Sequence, residues 1–530
     1  MDKEQLRLIL GGALTDGEPI EALLEHEGRL RLLEGRVDLP QLDPWLDELA
    51  ELDLRDRPDA ALLVATLLYQ VHRLAARAFE QAEHARAAYE ARNDHAGLAQ
   101  ATLMLGHLAW WQGDTAAAAD WWDQAGGLPV DEATPAGLAP FRVASDLIVA
   151  GHLSQAVDES HHAYAITVAE GSAADEAHAT LFGGLVTMDT GRLDTAVDML
   201  ERADDLFAEI APRRDAALWP GVNLGLGEIA ARRGEVDRAL EEFATAARRA
   251  VEFDRPALAA MALAMPALHL TGQTDGDFLP AAEAADRDLH ADEQHWFALQ
   301  VVERARATAY LADGDAQRAL ELAEATAAGA RNALLQAKAL LLVARARRAL
   351  GRDDALEALD DAIATFLDEG ADLWAVEALI ERADLDPATA SSSLDQAYAR
   401  TGDDRAFVRL WQHRPRLTVE LSGQHRPVFR VGSDVLPLGA KGERLAEVVV
   451  HAGDAGIHWE TVAARLWPDE DDADRIKSRL TSLTALVRGR LGPDGWRLRR
   501  DGPRFRFVSL AADIVIVTDE SAPARALMSL

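Results

Sequence analysis

Up to about residue 400, alanine and leucine recur at intervals of three and four residues, proline is sparse and β-branched runs are few. That pattern predicts amphipathic helices packed along one another. A longer period overlies it. Gly106, Gly113, Ala118, Trp122 and Ala125 are spaced +7, +5, +4 and +3, and the same spacing returns as Gly184, Gly191, Ala196, Leu200, Ala203 and as Gly227, Gly234, Ala239, Phe243, Ala246. Weaker copies are Ala144, Gly151, Ala156, Ser160, Ala163 and Ala307, Gly314, Ala319, Ala323, Thr326. Gly351, Ala355, Leu359 and Ala362 make a copy one residue shorter, Gly272 marks a degenerate unit, and Ala78, Ala82 and Ala85 suggest an early one. The second glycines, at 113, 151, 191, 234, 272, 314 and 351, are 38, 40, 43, 38, 42 and 37 residues apart.

Each position has a physical task. The second glycine ends the first helix of a pair in a left-handed conformation. An acid just after it (Asp114, Glu235, Asp315) fits the start of the second helix. Small alanines let the two helices approach, and the large residue between them fills the groove. This register resembles the tetratricopeptide repeat (TPR), with Gly or Ala at its eighth position, Ala at the twentieth, an aromatic at the twenty-fourth and Ala at the twenty-seventh. The units are longer than the usual ~34 residues and are similar to those of bacterial signal-integrating regulators. The resemblance covers roughly residues 60–370 and implies an α-solenoid with a concave face suited to a peptide, a protein or a small molecule. Trp110, Trp111, Trp121 and Trp122 sit at helical spacing and are expected in the core. His161 and His162, as neighbours on a helix, point to different faces and read as ordinary surface and packing residues.

The pattern changes near Pro415. "LTVEL", "PVFRV" and "DVLPL" are short, β-rich and separated by turn residues. Three helical patterns follow: "KGERLAEVVVHAG", "HWETVAARLWP" and "ADRIKSRLTSLTALVRGRLG", the last with Ile476, Leu480, Leu483, Val487 and Leu491 on one stripe. "WRLRRDGPRFRF" then reads as a hairpin. Trp496 and Leu498 alternate with Arg497 and Arg499, and Phe505 and Phe507 with Arg504 and Arg506, so the apolar residues can close the core while the arginines face outward.

This order, with "ERLAEVVVHAG", "ARLWPDEDDADRIKSRLTSL", "VRGRLGPDGWRLRRDGPRFRFV" and "DIVIV", resembles the OmpR/PhoB-type winged helix, particularly that of the antibiotic-regulator (SARP) activators. The resemblance implies a third helix that enters the major groove and a wing on the minor groove or backbone. His458 stands where that family often has a Ser or Thr cap. The order of domains is reversed from the usual SARP layout and is similar to the MalT type, without its GxxxxGK[ST] phosphate loop. The fold class expected is mostly α: a TPR-like superhelix followed by a small α+β winged-helix domain. The domains expected are a helical cap over 1–59, repeats over 60–415, the winged helix over 416–517 and a tail over 518–530.

Charge sharpens this division. The formal charge is −35, yet the 416 residues before Leu417 hold all of it, and Arg475 to Arg506 carry ten basic residues against two acids. Arg475, Lys477, Ser478, Thr481, Ser482 and Arg488 are the expected contacts of the recognition helix, with Ala485 able to meet a thymine methyl. Asp474 opposes an anionic partner, but at a helix start it can serve as a cap instead. Arg497, Arg499, Arg500, Arg504 and Arg506 of the wing, like Arg488 and Arg490, suit phosphate.

Cysteine is absent, no signal-peptide pattern opens the chain and no run is long enough to span a membrane. A cytoplasmic bacterial transcriptional regulator is therefore expected, with no enzymatic activity, no cofactor and no metal. Its expected partners are double-stranded promoter DNA, RNA polymerase, a ligand in the repeat concavity and a second copy as homodimer, with no membrane contact. The rival reading is a TPR adaptor whose winged helix binds protein.

Overall fold

The computed structural model describes most residues from 50 to 508 and the strand Ile514–Val517. Outside the description lie 1–46, 129–150 and 518–530, with shorter stretches at 69–73, 112–114, 171–172, 212–215, 291–295, 402–403, 412–416, 423–424, 432–433, 453–454 and 509–513 and a few single positions. Most of the expected N-terminal cap, the C-terminal tail, Gly113, Asp114 and Ala144 fall there. The chain is a TPR-like α-solenoid followed by a small α+β domain. It forms two compact units, one of residues 1–231 and 235–350, the other of 351–530 with 232–234. The expected boundary at 415–416 falls inside the second unit.

In the first unit, helices pair as the register predicts: Ala173–Asp189 with Leu193–Ile210, Trp219–Arg233 with Val236–Glu252, and Trp296–Ala312 with Ala316–Ala328. Gly151, Gly191, Gly234, Gly272, Gly314 and Gly351 all have φ between 67° and 84°, the left-handed turn expected of them. The acids that follow behave unequally. The Asp315 side chain accepts a hydrogen bond from the Arg318 amide, whereas Glu235 sits at its helix start without a side-chain cap.

The first glycine of each unit answers to the large residue sixteen positions on. A Cβ on Gly106 would lie 2.4 Å from Trp122, one on Gly184 2.9 Å from Leu200 and one on Gly227 2.5 Å from Phe243. Where this position is Ala307, the partner shrinks to Ala323, and both are buried. The volume is shared, so the two positions vary together. Trp122 is thus a core residue and Trp121 half-buried, while His161 and His162 are exposed. The side chains of Trp110 and Trp111 lie outside the description.

In the second unit, Leu417–Ser422 (β1), His425–Val431 (β2), Asp434–Val435 (β3) and Ile514–Val517 (β7) form a sheet of order β3-β2-β1-β7, with β7 parallel to β1. Helices Ala440–His451, Trp459–Leu466 and Ala473–Leu491 follow, then the hairpin Leu498–Asp501 (β5) and Arg504–Phe507 (β6), joined on its other edge by Ile457–His458 (β4). Leu445, Val449, Val462, Leu480, Val487, Leu498, Phe505 and Phe507 share one core. The apolar stripe of the long helix, Ile476 to Leu491, is buried as its spacing predicts.

The glycine accounting separates two costs. Gly227→Ala should destabilise by about 1–2 kcal/mol, since overpacking of about 1–3 kcal/mol outweighs the gain in helix propensity. Trimming Phe243 to Leu in the same chain should recover part of the loss. Gly314→Ala meets no atom within 4 Å, so its cost of about 1–2 kcal/mol is backbone alone and should be indifferent to Phe243→Leu. Urea denaturation of the four chains checks this.

Candidate nucleic-acid interface and solenoid interior

The long helix Ala473–Leu491 starts at Asp472, whose carboxylate accepts from the Asp474 and Arg475 amides. The cap is therefore Asp472 and not Asp474, because the helix begins at Ala473, two residues earlier than a cap at Asp474 would allow. His458 caps the preceding helix, its Nδ1 accepting from the Glu460 amide at 3.4 Å.

Arg475, Lys477, Ser478, Thr481 and Ser482 are all exposed along one side of the long helix, with Ala485 beyond them. Their hydroxyls are engaged within the helix: Thr481 donates to the Lys477 carbonyl at 2.9 Å and Ser482 to that of Ser478 at 3.0 Å. Each oxygen thus turns acceptor capacity outward. Glu470 sits at the base of the helix, 2.6 Å from Arg479 and 3.5 Å from Arg475. The Lys477 ammonium lies 5.3 Å from the centre of the Trp459 ring.

The hairpin differs from its expected form at the start. Gly492–Arg497 is a 3-10 turn with Pro493 in its first turn, and regular pairing begins only at Leu498. The two-residue alternation therefore does not extend back to Arg497. That residue has no exposed side chain. Its Nε donates to Asp494 at 2.7 Å and its Nη1 to the Val508 carbonyl at 3.3 Å. Arg497 is thus a buried structural ion pair, and its assignment as a phosphate contact is corrected. Trp496 is also fully buried, but against Tyr398 and Phe407, at 5.1 and 5.6 Å between ring centres.

The other arginines divide by partner. Arg488 is turned back on the hairpin, its Nε donating to the carbonyls of Gly495 at 3.2 Å and Leu498 at 3.0 Å. Arg499 stands opposite Arg506 in the ladder, and one carboxylate, Asp501, is shared between them, 3.8 Å from Arg499 and hydrogen-bonded to Arg506. At the tip, Gly502 at φ 59° and Pro503 close a two-residue loop. Arg500 and Arg504 are exposed there and, among the described residues, hydrogen-bond to carbonyls: Arg500 to Gly502, and Arg504 to Ala455 and Gly456. Arg490 is exposed on the long helix.

The solenoid unit also has a polar interior that the repeat spacing does not announce. Asp189, Glu228, Gln300 and Arg304 are buried. Lys338 on helix Ala333–Ala349 reaches Asp189 on helix Ala173–Asp189 at 3.1 Å, and His269 lies 3.8 Å from Glu228. Burial pushes the Lys338 amine below its usual value, Asp189 and Glu228 pull it back and Arg304 opposes them. Among the described residues no cluster of three or more His, Cys, Asp or Glu could hold a metal, and no helix is long and apolar enough to cross a membrane.

No protein-family model and no curated protein matches the chain. Solved structures do resemble it. The Rap protein complexed with competence and sporulation factor is 16% identical at a TM-score of 0.42, covering 62% of this chain and 93% of that one. NprR in complex with its cognate peptide NprX is 13% identical at 0.42, covering 61% and 93%. The apo form of the quorum sensor NprR from B. thuringiensis is 12% identical at 0.33, covering 74% and 99%. Likeness at this level assigns no ligand to this chain.

Two outcomes follow from these ion pairs. Arg497→Ala leaves Asp494 buried without its partner and should lower stability by about 3–5 kcal/mol; hydrogen exchange should show the loss around residues 492–508. Asp189→Ala strands Lys338 in the same way, with a similar loss, and Asp189→Leu with Lys338→Met should recover most of it. The folded Lys338 value lies below the unfolded one, so its charged form burdens the fold. The Asp189→Ala deficit should therefore shrink as pH rises toward the ordinary lysine value, in thermal melts across pH.

Proposed function

We propose that this chain is a sequence-specific DNA-binding transcriptional regulator, whose solenoid receives a peptide, protein or small-molecule signal and whose C-terminal α+β domain, an OmpR/PhoB-type winged helix, binds promoter DNA. The observation that carries the reading is the two-faced build of the long helix and hairpin. Ile476, Leu480, Leu483, Val487, Leu498, Phe505 and Phe507 are buried, while Arg475, Lys477, Ser478, Thr481, Ser482, Arg500 and Arg504 are exposed. A helix presenting cations and small hydroxyl residues suits a major groove. The hairpin tip supplies cations that bond to carbonyls, not carboxylates, and so can be taken over by phosphate.

The buried polar network of the solenoid supports the signal-receiving half. Asp189, Glu228 and Arg304 are buried and Lys338 is paired with Asp189, so both charge signs stand inside the solenoid, and a peptide-like ligand would have to exchange with these partners. The second reading is a protein-binding adaptor, and one observation favours it: Leu486, on the outward side of the same helix, is 51% exposed. The adaptor predicts a copurifying protein and no protected DNA.

Genome-wide mapping of DNA bound by the full chain in its native host separates the two, with enrichment at one or a few promoters expected. In titrations with the recovered site, Arg504→Ala should weaken binding equally on matched and mismatched duplexes. It should also reduce the slope of log K against log salt by about 1. Ser482→Ala should instead change the ratio between them.

A further inference from the structure

Helix Ala390–Arg400 brings a carboxylate to two of the arginines expected to meet phosphate. Asp395 Oδ1 lies 3.5 Å from Arg488 Nη2 and 3.7 Å from Arg499 Nε. One arginine belongs to the long helix, the other to the hairpin. The Asp395 oxygen is buried but accepts no hydrogen bond. Three residues along the same helix, the Tyr398 ring lies 5.3 Å from the Arg499 guanidinium carbon and 5.1 Å from the Trp496 ring. Arg499 is left 16% exposed.

We propose that Asp395 is a built-in competitor for DNA phosphate: its carboxylate occupies the niche between Arg488 and Arg499 where a backbone phosphodiester binds, and withholds both arginines while helix Ala390–Arg400 is docked on Trp496. The proposal rests on the DNA-binding reading above. Two features favour exchange over a permanent ion pair. Counting Asp501 and Arg506 beside them, three guanidinium groups stand against two carboxylates, so the niche keeps a net positive charge. The contact is also held by charge alone, because Asp395 Oδ1 makes no hydrogen bond to either arginine, whereas an incoming phosphodiester can form the paired hydrogen bonds that this carboxylate does not make.

The docked helix is joined to its neighbours by definite bonds. Arg382 of helix Asp372–Leu385 donates to Ser393 at 3.2 Å and to Thr389, and its Nε to Asp360 at 2.6 Å. A rearrangement of these helices therefore moves Asp395.

The test uses the full chain, Asp395→Asn and, as a control for lost charge, Asp361→Asn, an exposed acid of helix Ala355–Asp368. On immobilised heparin, a polyanion without sequence, Asp395→Asn should elute at higher salt than both others. On duplex DNA it should bind about tenfold tighter at low salt, with a log K–log salt slope steeper by about 2, one phosphate for each freed arginine. Adding Arg488→Gln should remove about half of that gain. Coelution of Asp395→Asn with Asp361→Asn overturns the proposal, whatever the DNA result. Later elution from heparin with no duplex binding by any of the chains leaves the masking in place and overturns the DNA reading instead.

Discussion

Trp496 has no exposed surface, and the orientation of the hairpin depends on how it is held. Its ring packs on Tyr398 and Phe407, while the preceding Gly495 sits where a Cβ would come within 2.4 Å of the Arg488 carbonyl and 2.9 Å of Ser391. Only glycine fits between the long helix and helix Ala390–Arg400. The end of the long helix, the 3-10 turn and the last solenoid-type helices are consequently one packed body. An aromatic cluster of this kind buries about 150–250 Å² per ring, worth several kcal/mol at about 25 cal/mol per Å². Thermal motion alone seldom opens such a contact. A ligand opens it only by binding the open form better than the closed one.

The electrostatics of the small domain follow from that packing. Counted along the sequence, the segment from Arg475 to Arg506 is strongly basic. In space, Glu470 reaches Arg475 and Arg479, Asp494 takes Arg497, Asp501 takes Arg506, and Asp395 stands before Arg488 and Arg499. Two of these carboxylates lie outside the counted window. The positive field is concentrated where Lys477, Arg500 and Arg504 meet a ring or carbonyls instead. An acidic solenoid attached to so narrow a basic surface disfavours indiscriminate polyanion binding.

The solenoid was legible because its signals are local. A positive-φ glycine and a small–large pair sixteen residues apart leave a spacing that repeats, and Gly227 with Phe243 shows the same complementarity as Gly106 with Trp122. The stripe from Ile476 to Leu491 was legible for the same reason: helical period and burial coincide. What escaped depends on contacts that no period encodes. Arg497 sits at an alternation point yet lies in a 3-10 turn, where the two-residue period does not apply. Trp496 leaves the core of Leu498 and Phe507 for Tyr398 and Phe407, and the pairing of Asp189 with Lys338 joins distant repeats. Such partners become visible only once the chain is folded.

Arg497 and Arg499 show why composition alone could not assign roles. Arg497 ends the 3-10 turn and Arg499 stands two residues on in the hairpin, and both face an aspartate. Arg497 is wholly enclosed, hydrogen-bonded to Asp494 at 2.7 Å; its Nη1 donates to the Val508 carbonyl, and its own carbonyl accepts from the Val508 amide. Removing either partner there exposes the full desolvation cost of the other. Arg499 is partly exposed, its nearest carboxylates stand at 3.7 and 3.8 Å, and water can reach it. A pair of the second kind, long and without a hydrogen bond, contributes less to stability than the Arg497–Asp494 pair. The effect of Asp395 falls on the field that Arg488 and Arg499 present, and on whatever anion approaches them.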